Sequence, residues 1–253
     1  MDMELARKRV VITGASKGIG HACAEAFAAE GGDVILAARR PDEAAASLRQ
    51  KYQVGVEAVT VDLSRAADRV SLYEVARGAD ILVNNAGAIP SGSLSDIDME
   101  TWERAWALKV FGYFHLTQLF LADMRARKSG VIVNIIGMAG RAWRHNYIAG
   151  TAGNAALIAF TSAVGGEAQA DGVRVFGINP AATRTERMVT MARQRAEAAY
   201  GDPERWEETL TGLPLGRAIE PKEIAELAVF GASPRGGYIA GTVIDVDGGG
   251  WFK

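Results

Sequence analysis

The chain has 253 residues, 49% hydrophobic and 23% charged, the balance of an ordinary globular protein, which excludes disorder, collagen and coiled coil. Its formal net charge of -2 offers no positive field to attract a nucleic-acid backbone or an anionic membrane surface, so neither partner is expected. Cys23 stands alone and cannot form an intrachain disulfide, and His21, His115 and His145 lack ligand spacing, so no metal is expected.

Residues 1–9 are charged and run straight into an apolar segment, unlike a signal peptide, and no run of 18 apolar residues follows, which makes a cytoplasmic location the expectation. The β-branched run 9–13 predicts a strand. It passes into Thr13-Gly14-Ala15-Ser16-Lys17-Gly18-Ile19-Gly20 and then a helical pattern over about 18–30, in which Cys23 is expected to be buried. Glycines where a strand turns into a helix let backbone amides face a pyrophosphate. A second strand, 34–38, ends at Ala38 and is followed by Arg39 and Arg40. A carboxylate at that place would bind the ribose diol of NAD and repel a 2′-phosphate. Instead Arg39 offers a bidentate phosphate contact and Lys17 a second positive charge, so NADP(H) is favoured over NAD(H). Arg40, just before Pro41, joins Arg39 as a candidate for the cofactor; the alternative for Arg40 and Lys17 is a solvated surface charge.

Further along, strands are predicted at 56–61, 81–83, 131–136, 173–178 and 243–246. Helices are predicted at about 42–51, 65–77, 98–127, 147–170 and 221–233, with a helical insert near 186–209. Strict alternation implies a Rossmann-type α/β fold: a doubly wound parallel sheet of about seven strands, in three layers, forming a single domain over 1–253. Ligands bind such sheets at the carboxyl ends of the strands, near the switch in strand order. The polar, irregular stretch 184–214 follows the sixth strand and reads either as a substrate lid or as a surface helix pair.

TGxxxGxG at 13–20, Asp62-Leu63 after the third strand, Asn84-Asn85-Ala86-Gly87 after the fourth, the turn Asn179-Pro180 and the terminal YIAGTVIDVDGG at 238–249 occur in an order that resembles the short-chain dehydrogenase/reductase family over nearly the whole chain. The resemblance implies that Gly14, Ser16, Lys17, Gly18, Ile19 and Gly20 hold the pyrophosphate end and that Asp62 and Leu63 flank the adenine. It further implies that Asn84, Asn85, Ala86 and Gly87 pack on the cofactor and that Pro180 and Thr185 lie toward the carboxamide. The bland alternatives are tight turns for the glycines and a structural cap for Asn84.

Members of that family resemble one another in an Asn-Ser-Tyr-Lys set, which this chain departs from throughout. Lys109 stands at the Asn place, Gly137 at the Ser place, and Gly150 and Asn154 at the Tyr and Lys places. Taking Tyr147 as the motif tyrosine instead puts Thr151 at the Lys place. Lys109 shares a helical stripe with Trp102 and Trp106, turned inward, and Tyr147 lies about one turn before Gly150. One reading makes Tyr147 a relocated proton donor with Lys109 as its electrostatic partner and Asn154 beside them. The other makes Tyr147 a packing aromatic, Lys109 a lysine snorkelling over tryptophan and Asn154 a cap or interhelix hydrogen bond. Arg141, Arg144 and His145 suit an anionic substrate or plain solvent. The resulting expectation is an NADP(H)-dependent oxidoreductase acting on a carbonyl or alcohol in a small molecule. The alternatives are a dinucleotide-binding sensor or partner subunit without turnover, and a non-redox lyase or isomerase with Lys109 as base. By resemblance, and from the apolar stretches 111–121 and 155–164, a homodimer or homotetramer is expected.

Overall fold

The computed structural model describes residues 2–250, so residues 1 and 251–253, the ends of the expected domain, lie outside the described residues. Among the described residues a seven-stranded sheet runs in the order β3-β2-β1-β4-β5-β6-β7, and every neighbouring pair is parallel. The strands are β1 (Arg9–Thr13), β2 (Asp33–Ala38), β3 (Val56–Thr60), β4 (Ile81–Asn84), β5 (Gly130–Ile135), β6 (Val173–Pro180) and β7 (Val243–Val246). The strand order turns back between β1 and β4, and the loops leaving these two strands flank that crevice.

The helices are α1 (Gly18–Ala29), α2 (Asp42–Lys51), α3 (Ala66–Val75), α4 (Met99–Leu108), α5 (Val110–Arg127), α6 (Ile148–Ala168), α7 (Glu186–Tyr200) and α8 (Pro221–Ala232). Side chains alternate along each strand, and both faces are covered. Val10 and Ile12 pack with Phe27 of α1, Leu48 of α2 and Ile224 of α8. Val11, between them, packs on the other face with Leu72 of α3 and Leu116 and Phe120 of α5. Cys23 is fully buried in the first layer, which pushes its thiol pKa up to about 12. The α6 helix is long and apolar enough to cross a membrane by length and composition, but it packs against β6 and the turn at Met138–Gly140.

Two predicted helices are divided. The expected helix 98–127 is interrupted at Lys109, whose backbone remains helical (φ -87°, ψ -54°) and joins α4 to α5. The expected insert 186–209 ends its α-helical part at Tyr200, because Gly201 adopts a left-handed conformation (φ 69°); a short 3-10 segment, Pro203–Leu210, packs back on α7.

Candidate active site

The crevice is framed by turns in which a side chain has no room. Gly14 and Gly18 have φ of 66° and 60°, and a Cβ on Gly20 would overlap the Gly14 carbonyl and the Asn85 amide. The tight approach is held by Thr13, whose Oγ1 donates to the Val83 carbonyl (3.2 Å) and accepts from the amides of Asn85 (2.8 Å) and Ala86 (3.1 Å). Asn85 returns a bond from Nδ2 to the Thr13 carbonyl (2.9 Å). The α1 helix begins at Lys17 with no side-chain cap and no acidic residue in its first turn, so its amino-terminal amides stay open to an anion.

Beside this turn, Arg39 and Arg40 are exposed beyond the buried Ala38. Asp62 accepts from the Ser64 hydroxyl (2.8 Å) and amide (3.1 Å), which hold its pKa below the usual carboxylate range, with Arg39 adding to the effect. Leu63 is buried at the same loop. Asn84 is structural in its contacts: its Nδ2 donates to Asn134 Oδ1 (2.9 Å) and Thr117 Oγ1 (3.2 Å), and Asn134 donates to Thr161 Oγ1 (2.9 Å). This buried polar ladder ties the ends of β4 and β5 to α5 and α6, and losing one partner would strand the others in the core.

On the opposite side of the crevice stand the side chains that could do chemistry. Lys109 is partly buried, passes close to Gly87 and donates from Nζ to the Ile136 carbonyl (2.6 Å), just past β5. Burial, reinforced by the charge of Arg187, lowers its pKa to about 8. Its amine is thus turned into the protein, not snorkelling outward over tryptophan. Tyr147 caps the start of α6, and its ring lies over Gly150: a Cβ added at Gly150 would overlap three of its ring atoms. Burial raises the Tyr147 pKa, opposed by the charge of Arg187. Asn154 is buried one turn after Gly150 and donates from Nδ2 to the Gly137 carbonyl (3.4 Å), while its Oδ1 is buried without a partner. Gly137 has φ of 137°, and a Cβ there would press on the Asn154 amide.

The stretch after β6 touches the glycine turn and the loop that follows β4. Pro180 ends β6, and Thr185 caps α7 by accepting from the Met188 amide (3.3 Å) while its side chain lies next to Gly18. Glu186 pairs with Lys17 (2.8 Å). Arg187 donates to the Ile89 carbonyl. Sequence reasoning passed over Arg187; the available signal was the helix start Thr185-Glu186, which places the next residue on the first turn of a helix leaving a strand end. Of the loop cations, Arg141 faces inward to Asp245 (2.9 Å), whereas Arg144 and His145 are exposed. Among the described residues, no cluster of three or more His, Cys, Asp or Glu side chains could hold a metal ion.

A family model for short chain dehydrogenases matches residues 8–196. The chain belongs to that family. It is 35% identical over 246 residues to galactitol 2-dehydrogenase (L-tagatose-forming) of Cereibacter sphaeroides, an alignment covering 94% of this chain and 92% of the relative. Among solved structures, L-sorbose reductase from Gluconobacter frateurii complexed with NADPH and L-sorbose superposes with a TM-score of 0.92 at 34% identity, covering 98% of both chains. A 3-oxoacyl (acyl-carrier-protein) reductase from Agrobacterium tumefaciens with NADP bound superposes with a TM-score of 0.88 at 28% identity, covering 98% of this chain and 95% of the other. In this short-chain dehydrogenase the strand ends present a glycine turn on one side of the crevice and the start of α6 on the other.

Proposed function

We propose that this protein is an NADP(H)-dependent oxidoreductase that acts on a carbonyl or alcohol group of a small molecule, with a displaced tyrosine standing in for the family's Asn-Ser-Tyr-Lys set. The observation that carries the reading is the Tyr147 ring, which fills the space over Gly150, the place where the family's tyrosine is expected. A ring borrowed from one turn earlier keeps a phenol at the start of α6 although the motif position is glycine. The second reading, a dinucleotide-binding protein without turnover, is favoured by the departures at Lys109, Gly137, Gly150 and Asn154 and by nothing in the geometry of Tyr147.

The residues present fit the cofactor. The uncapped amides of α1 and the close-packed turn of Gly14, Ser16, Gly18, Ile19 and Gly20 suit a pyrophosphate. Arg39, with Lys17, suits a 2′-phosphate, and no carboxylate follows β2 to repel it. Asp62 and Leu63 would flank the adenine, Asn85, Ala86 and Gly87 the ribose side, and Pro180 and Thr185 the nicotinamide end. When bound, NADPH supplies the hydride. Tyr147 would then give its proton to the carbonyl oxygen, Lys109 would stabilise negative charge there, and the unpartnered Asn154 Oδ1 would accept from a hydroxyl of cofactor or substrate. The single domain carries residues 184–214 as a lid.

The protein is taken to act in the cytoplasm as a homodimer or homotetramer. The aromatic chain of Trp106 from α4, Phe111 and Phe114 from α5 and Phe160 from α6, with Phe111 50% exposed, supports burial against a second copy. The test of function is NADPH oxidation with a panel of carbonyl compounds beginning with ketoses. Tyr147→Phe is expected to lower the rate by roughly 100- to 10,000-fold with NADPH affinity unchanged. A parent protein that binds NADPH tightly and reduces no member of a broad panel would favour the binding protein.

A further inference from the structure

The first turn of α3 is clamped onto the loop that follows β3. Asp68 accepts from the Asp62 amide (2.8 Å), and Arg69 donates from Nη1 to the Leu63 carbonyl (2.7 Å). The same Nη1 reaches the Ala107 carbonyl near the end of α4 (3.2 Å), and Nε donates to Nδ1 of His115 on α5 (3.0 Å). Arg69 is only 7% exposed, and these three partners are all neutral groups. A guanidinium cannot shed its charge in such a place, so it depends on every acceptor it has. Of the three, only His115 can stop accepting. An imidazole accepts at Nδ1 while it is neutral with its proton on Nε2; once protonated it donates from both nitrogens and sets a second cation beside the first. His115 is partly exposed and lines an open groove between α5 and α6 with Phe111, Phe114, Phe160 and Val164, so protons from solvent reach it.

We propose that Arg69 is the positioning residue of the Asp62-Leu63 loop and that His115 holds it there only while neutral, so that protonation of His115 loosens the loop and weakens cofactor binding. The proposal rests on the reading that Asp62 and Leu63 flank the adenine of NADP(H). Arg69 touches no ligand itself. It acts through the Leu63 carbonyl, and the same guanidinium ties that loop to the end of α4, two residues before Lys109.

Among the described residues, the other charges on the elements packed around His115 are turned elsewhere. On α3, Arg65 faces Asp68 (3.8 Å) and Arg77 pairs with Glu74 (2.8 Å). On α4, Arg104 faces Glu100 (3.6 Å) and Glu103 is exposed. On α5, Lys109 is engaged with the Ile136 carbonyl and Arg127 with Asp123 (3.2 Å), while Arg125 reaches Glu167 of α6 (2.8 Å) and Asp171 (3.0 Å). Burial and the charge of Arg69 hold the His115 pKa below its ordinary value of 6.5. Binding that needs the neutral imidazole is therefore complete at neutral pH and is lost as the pH falls through that lowered value.

The experiment measures the binding of NADP+ and of 2′-phospho-ADP-ribose, which keeps the adenine half and lacks the nicotinamide, by calorimetry on the full chain from about pH 8 to about pH 5. At the acid end the parent is expected to bind both roughly tenfold more weakly than His115→Gln does. The glutamine carbonyl accepts from Arg69 at every pH, and comparing the two proteins cancels the titration of the ligand's own phosphates. His115→Phe, which has no acceptor, is expected to bind weakly throughout. Equal pH profiles in the parent and His115→Gln would overturn the proposal. A second measurement needs no ligand: proton NMR follows the three imidazoles, and His115→Gln assigns the line. In Arg69→Met the His115 line is expected to titrate higher than in the parent, and an unmoved line would equally overturn the proposal. Should Arg69→Met fail to fold, the comparison of the parent with His115→Gln decides alone. A parent that binds neither ligand at about pH 8 would sink the cofactor reading, while the NMR titration still judges the contact between Arg69 and His115.

Discussion

The turn after β1 and the stretch from β5 into α6 lie at the same edge of the sheet, yet they are specified in different ways. The first is a backbone device. Gly14, Gly18 and Gly20 are fixed by positive φ or by atoms that leave no space for Cβ, and Thr13 and Asn85 hold the turn through main-chain bonds. The second is a side-chain device. Lys109, Tyr147, Asn154 and Arg187 come from three separate parts of the chain, and each is placed by where its side chain reaches: Lys109, Asn154 and Arg187 to the carbonyls of Ile136, Gly137 and Ile89, and the Tyr147 ring over Gly150. A backbone device admits few substitutions and keeps its motif, whereas a side-chain device can move its reacting group by one helical turn and leave the scaffold intact.

Three substitutions sharpen that contrast. Gly150→Ala should have the largest effect, because its Cβ cannot coexist with the Tyr147 ring. Displacement of a proton donor by about 1 Å can cost roughly 100-fold, so carbonyl reduction should fall by about that factor. Glycine to alanine inside a helix would ordinarily add about 1 kcal/mol of stability. A fall in rate with unchanged NADPH binding separates the two effects, and an unchanged rate would show that the ring position is not used.

Gly20→Ala strikes the other half. Its Cβ would meet the Gly14 carbonyl and the Asn85 amide, an overpacking that costs about 1–3 kcal/mol. Thermal unfolding should come earlier and NADPH binding should weaken together, which distinguishes a backbone lesion from the selective loss at Gly150. Retained stability with normal binding would break the contrast.

The smallest effect concerns Lys109, whose folded pKa of about 8 lies below the ordinary lysine value of 10.5. Between these two values the unfolded chain holds a proton that the folded chain has given up. Stability contributed by this group therefore rises with pH across that window, and below about 8 its charge weighs fully against folding. Relative to Lys109→Met, the parent should gain thermal stability as pH is raised from 8 to 10.5, measured by paired melting curves. Parallel curves would mean that the amine is not held in its lowered state.

These differences also explain what could be read from the residues in order. Alternating strands and helices were legible because both faces of the sheet are buried, so β-branched runs such as Val10-Val11-Ile12 stand out against the alanine-rich helices. The junction at Lys109 was not, because its backbone stays helical and no proline or glycine marks it. The inward turn of Lys109 followed from its spacing to Trp102 and Trp106, a helical argument that survives the junction. Tyr147 was legible as a neighbour of position 150, but its ring lying over Gly150 is a rotamer fact, which spacing alone does not carry. Arg187 was missed because its partner, the Ile89 carbonyl, is brought to it by the crossover after β6 and by no local pattern.

The buried Cys23 has a practical consequence. With its thiol sealed in the layer between α1 and the sheet and its pKa near 12, it is inert to alkylating reagents while the chain is folded. It becomes reactive when that layer opens, so the rate at which a maleimide captures Cys23 is a clock for the opening of the cofactor half, built into the native sequence and readable by mass alone.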